Sequence, residues 1–86
     1  MKHIKITVTE EVEEKILFKH HIGIDELKTS LIDGKPKFLR LRDNTYMAIA
    51  HHYRYLTIIF DYRDDQALVR TAYPSSPSQI NRYQKK

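Results

Sequence analysis

The sequence of 86 residues contains no cysteine. That excludes disulfides, a thiolate nucleophile and any Cys-based zinc site, and it suits a reducing compartment. There is no stretch of apolar residues long enough for a membrane span, and the opening Met1-Lys2-His3-Ile4-Lys5 lacks the apolar core of a signal peptide. No repeat, low-complexity segment or linker divides the chain. The expectation is therefore one soluble cytoplasmic domain over residues 1–86, without contact to a membrane. A domain of this size has no room for a deep cofactor cavity, so a shallow surface site and no cofactor are expected.

What is present centres on Arg54-Tyr55-Leu56-Thr57-Ile58-Ile59-Phe60-Asp61. The run Leu56–Phe60 is rich in β-branched and aromatic residues and too short for a core helix, so it reads as a strand. Nearly continuous apolarity places it inside a sheet with both faces covered. Before it, Ile4–Val8 alternates apolar with polar and reads as a first strand. Thr9 is a helix N-cap followed by Glu10 and Glu11, and Val12, Ile16, Leu17 and His20 recur at helical spacing. That helix ends near His20-His21, with Gly23 as its stop. A second helix starts at or just before Asp25 and ends at Gly34 and Pro36.

From Pro36 the period becomes two. Strands are predicted over Phe38–Arg42, Thr45–Ala50, Arg54–Tyr62 and Ala67–Tyr73, with turns at Asp43-Asn44 and Arg63-Asp64-Asp65-Gln66. The connection through His51-His52-Tyr53 has no turn-forming Gly, Asn or Asp, so a loop of four or five residues is expected there. Ser76-Pro77-Ser78-Gln79 has the signature of a capping box, and Ile80 and Tyr83 share one face of the helix it starts. The fold class is α+β: an N-terminal strand and two helices, then a four-stranded antiparallel meander and a short C-terminal helix, with the helices on one side.

Charge is uneven. Residues 1–33 hold 5 Lys/Arg and 7 Asp/Glu, whereas residues 34–86 hold 10 and 4. A basic C-terminal portion points to an acidic partner such as a nucleic acid, with solvated surface charge as the plain alternative.

Three patches carry a resemblance. Lys19-His20-His21-Ile22-Gly23-Ile24-Asp25-Glu26-Leu27 is similar to a Lys-His-Gly-Val-Ser-Phe-x-Glu-Ala segment between two helices. Arg54-Tyr55-Leu56 stands where a Gly-Arg precedes an apolar strand. Val69-Arg70-Thr71-Ala72-Tyr73-Pro74, with Tyr83 beyond, is similar to a last strand reading Ile-Ser-Ala-Arg-x-Ala and a helix ending in Tyr. Together they resemble the BrnT family of small toxins in the RelE-like ribonuclease superfamily. The resemblance implies a RelE-like fold and a toxin of a type II toxin–antitoxin pair: a metal-independent endoribonuclease acting on RNA, free or as ribosome-bound mRNA, and bound by a cognate antitoxin. The sequence departs from the pattern where the family's strand-end arginine falls on Tyr73 and the charged residues of its final helix fall on Gln79, Ile80 and Asn81.

RNA cleavage of this kind deprotonates the 2′-hydroxyl, stabilises the phosphate and protonates the 5′-oxygen. The candidates are Arg54 as phosphate clamp, His51 or His52 as general acid or base, and His20, which alternatively caps its helix or packs under the sheet. Tyr73 is a proton donor or stacking group, or else a packing residue. Tyr83 reads as core. Arg70, three residues from Tyr73, is expected on the opposite face by strand parity. Lys35, Lys37, Arg40 and Arg42 read as a phosphate track or as a solvated face, and Arg70 and Arg82 add RNA-binding charge. The adjacent pairs His20-His21 and His51-His52 make poor chelates, and no HExxH occurs, so no metal site is expected. The alternative functions are a catalytically inactive RNA- or protein-binding module on the same scaffold, and an oligomerising domain that forms a homodimer through the edge strand Ile4–Val8 or Phe38–Arg42.

Overall fold

In the computed structural model, which describes residues 5–85, the elements run β1 (Lys5–Thr7), α1 (Glu10–His20), α2 (Ile24–Asp33), β2 (Lys37–Arg42), β3 (Thr45–His51), β4 (Tyr55–Arg63), β5 (Gln66–Pro74) and α3 (Pro77–Gln84). Ile4, expected to open the first strand, lies outside the described residues. The strands form one sheet in the order β1-β5-β4-β3-β2. The apolar run of β4 is therefore central, as its composition requires. β2 to β5 form the expected antiparallel meander, while β1 joins in parallel beside β5 through Ile6↔Ala67. No helix among the described residues is long and apolar enough to cross a membrane.

The two faces of the sheet follow from its register. Tyr46 pairs with Phe60, Ala48 with Ile58 and Ala50 with Leu56, so these residues share a face. On that face Ala48, Leu56, Ile58, Phe60, Val69 and Ala72 pack with Ile16 of α1, Leu27 and Leu31 of α2, and Ile22 between the helices. Each Leu, Ile, Val or Phe side chain among them, once buried, contributes about 1.5–3 kcal/mol. Met47, Thr57 and Tyr73 occupy the other face, and α3 lies there: Gln79 donates to Tyr73 and approaches Met47, and Thr57 donates to Gln79. The expectation that all helices gather on one side is thereby corrected. The capping box predicted at Ser76 forms in full and fixes where α3 starts. Its polar Gln79 then meets Thr57 and Tyr73 on that face.

Thr9 caps α1 by accepting from the Val12 N–H, as expected. His21, rather than Gly23, takes the left-handed conformation (φ 55°) that stops α1. The chain must turn at once because Ile22, the next residue, is buried in the core. Gly23 instead becomes the extended N-cap of α2. The β4–β5 turn places Asp64 and Asp65 at φ 53° and 61°, the two positive values of a tight primed turn. The β3–β4 connection is His52-Tyr53-Arg54, three residues rather than four or five, because His51 and Tyr55 still pair across it.

Candidate functional site

The three patches named above meet at one end of the sheet, where α1 ends, β4 begins and β5 gives way to α3. Leu56 pairs with Pro74 and Thr57 with Tyr73. The Ser75 N–H donates to the Tyr55 carbonyl at 3.0 Å. The His20 and Tyr73 rings lie 6.3 Å apart, tilted by 52°. His20 and Tyr73, 53 positions apart in the chain, thus become neighbours through the packing of α1 on β5.

Arg54 holds this corner together. Its Nε and Nη2 grip both carboxylate oxygens of Glu26 at 2.8 and 3.0 Å, and Nη2 also donates to the His21 carbonyl at 2.8 Å. Hydrogen bonding to Glu26, opposed by partial burial and helped by its charge, pushes the guanidinium above its ordinary value. The planar fork matches a carboxylate as well as it would a phosphate. The Nε and Nη2 donors of the group expected as a phosphate clamp are engaged by the protein itself, while the side chain stays 39% exposed. It fixes the end of α1, and His20 with it.

Beside this corner runs a groove of about 220 Å³ between α1 and β5, lined by Val12, Lys15, Ile16, Lys19, His20, Arg70 and Thr71. The helical period accounts for its composition. Residues 12, 15, 16 and 19 lie on one stripe of α1, with Val12 and Ile16 turned toward the core and the lysines at the rim. Three cations and an imidazole line it, and among the described residues no carboxylate does. Lys15 and Lys19 were not singled out in the sequence. Their i,i+4 spacing is a readable sign of a shared cationic edge.

Arg70 reaches the groove because of a β-bulge. Ile59 pairs with Thr71 but Phe60 pairs with Val69, which leaves Arg70 unmatched. The bulge resets strand parity. The Arg70 guanidinium meets Asp61 at 3.0 Å, on the face that carries Thr57 and Tyr73. The expectation that it points away from Tyr73 is corrected. The Thr45 hydroxyl (2.7 Å) and then Arg70 hold the Asp61 carboxyl below the ordinary aspartate range, against the opposing effect of burial.

Tyr73 is oriented from below. Gln79 Nε2 donates to its hydroxyl oxygen at 3.1 Å, while Gln79 Oε1 accepts from Thr57 and from the Ser76 N–H at 3.0 and 2.9 Å. Thr57 is fully buried and also shares a 2.8 Å bond with Ser75. The phenol therefore receives one hydrogen bond and keeps its own O–H free to donate. The arrangement is an imidazole and an oriented phenol beside a cationic groove.

The remaining candidates lie elsewhere. His51 is exposed and stacks on Tyr55, with ring centroids 4.0 Å apart and planes within 10°. His52 is exposed at the loop, edge-on to Tyr53. The proposed cationic track is broken up. The Lys37 ammonium caps α3 through the carbonyls of Arg82 and Lys85, at 3.2 and 2.6 Å. Arg40 bonds the Asp43 carbonyl of its own hairpin at 2.9 Å, and Arg42 faces Asp61. Lys35 and Arg82 are exposed beside the C-terminal half of α3, where Tyr83 donates to the Gly34 and Lys35 carbonyls at 3.1 and 3.0 Å. Tyr83 is thus a half-buried anchor for α3. Among the described residues no three His, Asp or Glu side chains converge.

No family model and no curated protein matches the sequence. Among solved structures, the protein is similar to the ribonuclease toxin BrnT of Brucella abortus, with a TM-score of 0.69 and 18% identity over 85% of this chain and 97% of that one. The fold is BrnT-like, as the three patches implied.

Proposed function

We propose that this protein is a toxin endoribonuclease that cleaves RNA without a metal ion, with the α1–β5 groove as its active site. The observation that carries the reading is the meeting of His20 and Tyr73 beside Lys15, Lys19 and Arg70. The likeness of the fold to a ribonuclease toxin supports the choice of substrate. In the reaction, His20 takes the proton of the 2′-hydroxyl as that oxygen attacks the adjacent phosphorus. The bond from phosphorus to the 5′-oxygen breaks, and the free O–H of Tyr73 protonates the leaving oxygen. The products are a 2′,3′-cyclic phosphate and a 5′-hydroxyl. Lys15, Lys19 and Arg70 stabilise the charge that builds on the phosphate. Arg54 contributes by position, through Glu26 and the His21 carbonyl. The partners that go with this reading are RNA, free or on the ribosome, and an antitoxin protein that covers the groove.

The test is cleavage of single-stranded RNA in EDTA by the wild type, His20→Gln and Tyr73→Phe, each checked for folding by circular dichroism. Loss of a proton-transfer group is expected to lower kcat by about 10²–10⁴-fold. Variants as active as the wild type would remove the groove from the mechanism. One feature favours a second reading: Tyr73 stands in place of the arginine of the resembled pattern. RNA binding that weakens with salt, without cleavage, would make the protein an RNA-binding module instead.

A further inference from the structure

A second aromatic assembly lies at the same end of the sheet and takes no part in the groove. The His51 ring stacks on Tyr55, and Tyr55 meets Tyr83 edge-on at 5.7 Å and 76°. The inner rings are fixed. Gln84 Nε2 donates to the Tyr55 hydroxyl at 3.0 Å, and the Tyr83 hydroxyl is held by the Gly34 and Lys35 carbonyls. The backbone of His51 is fixed as well, since its N–H donates to the Gly34 carbonyl at 3.0 Å. The outer ring is exposed, and Tyr55 takes only one of its two faces.

We infer that the outer face of His51 is a stacking subsite for an unpaired nucleobase. The inference rests on the RNA-cleaving reading and extends it to how the strand is held. An aromatic ring that is backed by a second ring and open on the other side offers a flat surface at low ordering cost, and every base has a face to lay on it. A cation lies close by: Lys35 is exposed and follows Gly34, whose carbonyl accepts from the His51 N–H, so a phosphate beside the stacked base meets positive charge. The position also fits a strand that enters the groove. His51 and Tyr73 stand two strands and two residues apart, about 12 Å between backbones at a strand spacing of ~4.8 Å and a rise of ~3.3 Å. A base on His51 therefore belongs to a nucleotide a short step from the one that is cut. The sequence alone offers His51 as a proton carrier; its stacking geometry makes it a platform.

The experiment compares His51→Ala and His51→Phe with the wild type, using one single-stranded oligoribonucleotide. Binding is read by fluorescence anisotropy at fixed salt, and cleavage by KM and kcat. Loss of the ring is expected to weaken binding by about 10-fold or more, with the loss carried by KM. Phenylalanine, which stacks but moves no proton, is expected to restore it. Equal loss of kcat in both variants would make His51 a proton carrier and overturn the platform. A wild type that cuts RNA while His51→Ala binds and cuts identically would also overturn it, leaving the cleavage reading intact. A wild type that binds RNA through His51 without cutting it would keep the platform and remove the cleavage. A wild type that does not bind RNA removes both.

Discussion

Replacing Arg54 with alanine tests whether its guanidinium serves the fold or the substrate. The change removes three hydrogen bonds, two to Glu26 and one to the His21 carbonyl. Hydrogen bonds to charged groups contribute about 1.5–3 kcal/mol each when buried, and exposed ion pairs only about 0.2–1 kcal/mol. Here the Arg54 side chain is 39% exposed and that of Glu26 20%, between those limits, and a loss of about 2 kcal/mol in total is expected. A domain of this size has roughly 4–13 kcal/mol of stability, so the variant should fold but melt about 8–16 °C lower. Urea unfolding followed by circular dichroism gives the free energy directly. Glu26→Gln is expected to cost part of the same energy, and the double variant little more than Arg54→Ala, because the two side chains share one interaction. An Arg54→Ala protein that unfolds at the wild-type urea concentration but no longer cuts RNA would refute this reasoning. It would return the guanidinium to the phosphate-clamp role that its sequence position suggests.

Three further outcomes follow from the packing and charge of the fold. Gly34→Ala should lower stability by about 1–3 kcal/mol in the same unfolding assay, since the added methyl would collide with the Ser30 carbonyl and press on the Ala50 side chain at 3.1 Å. Ser30→Ala, by contrast, should leave stability unchanged or raise it by up to about 1 kcal/mol, because the buried Ser30 hydroxyl has no hydrogen-bond partner among the described residues; a clear loss would contradict this. Asp61, held below the ordinary aspartate range by Thr45 and Arg70, stabilises the fold fully above its unfolded value of about 3.9 and loses that contribution as pH falls through its lower folded value. Acid unfolding below about pH 4 should therefore be steeper for the wild type than for Asp61→Asn.

The order of the elements and the place of β4 in the sheet were legible in the sequence. Those features rest on signals within a few residues of each other: the alternation in β2 and β3, the Thr9 cap, and the Ser76–Gln79 capping box. It also held the patches that resemble the BrnT family, and these meet in space. The end of α1 was legible only to within a residue or two, since left-handed His21 carries no composition signal and the burial of Ile22 decides the turn. Which side chains meet at the site depends on tertiary structure. Arg54 is occupied by Glu26, 28 residues away, and nothing local to either residue announces the pair. A single unmatched residue in β5 turns Arg70 to the face of Tyr73, where strict alternation would send it away. Lys15 and Lys19 become groove residues only because α1 lies along β5. A local pattern sets which residues form a strand or a helix, whereas the neighbour of a charged side chain depends on register and packing, which one bulge or one helix placement can change.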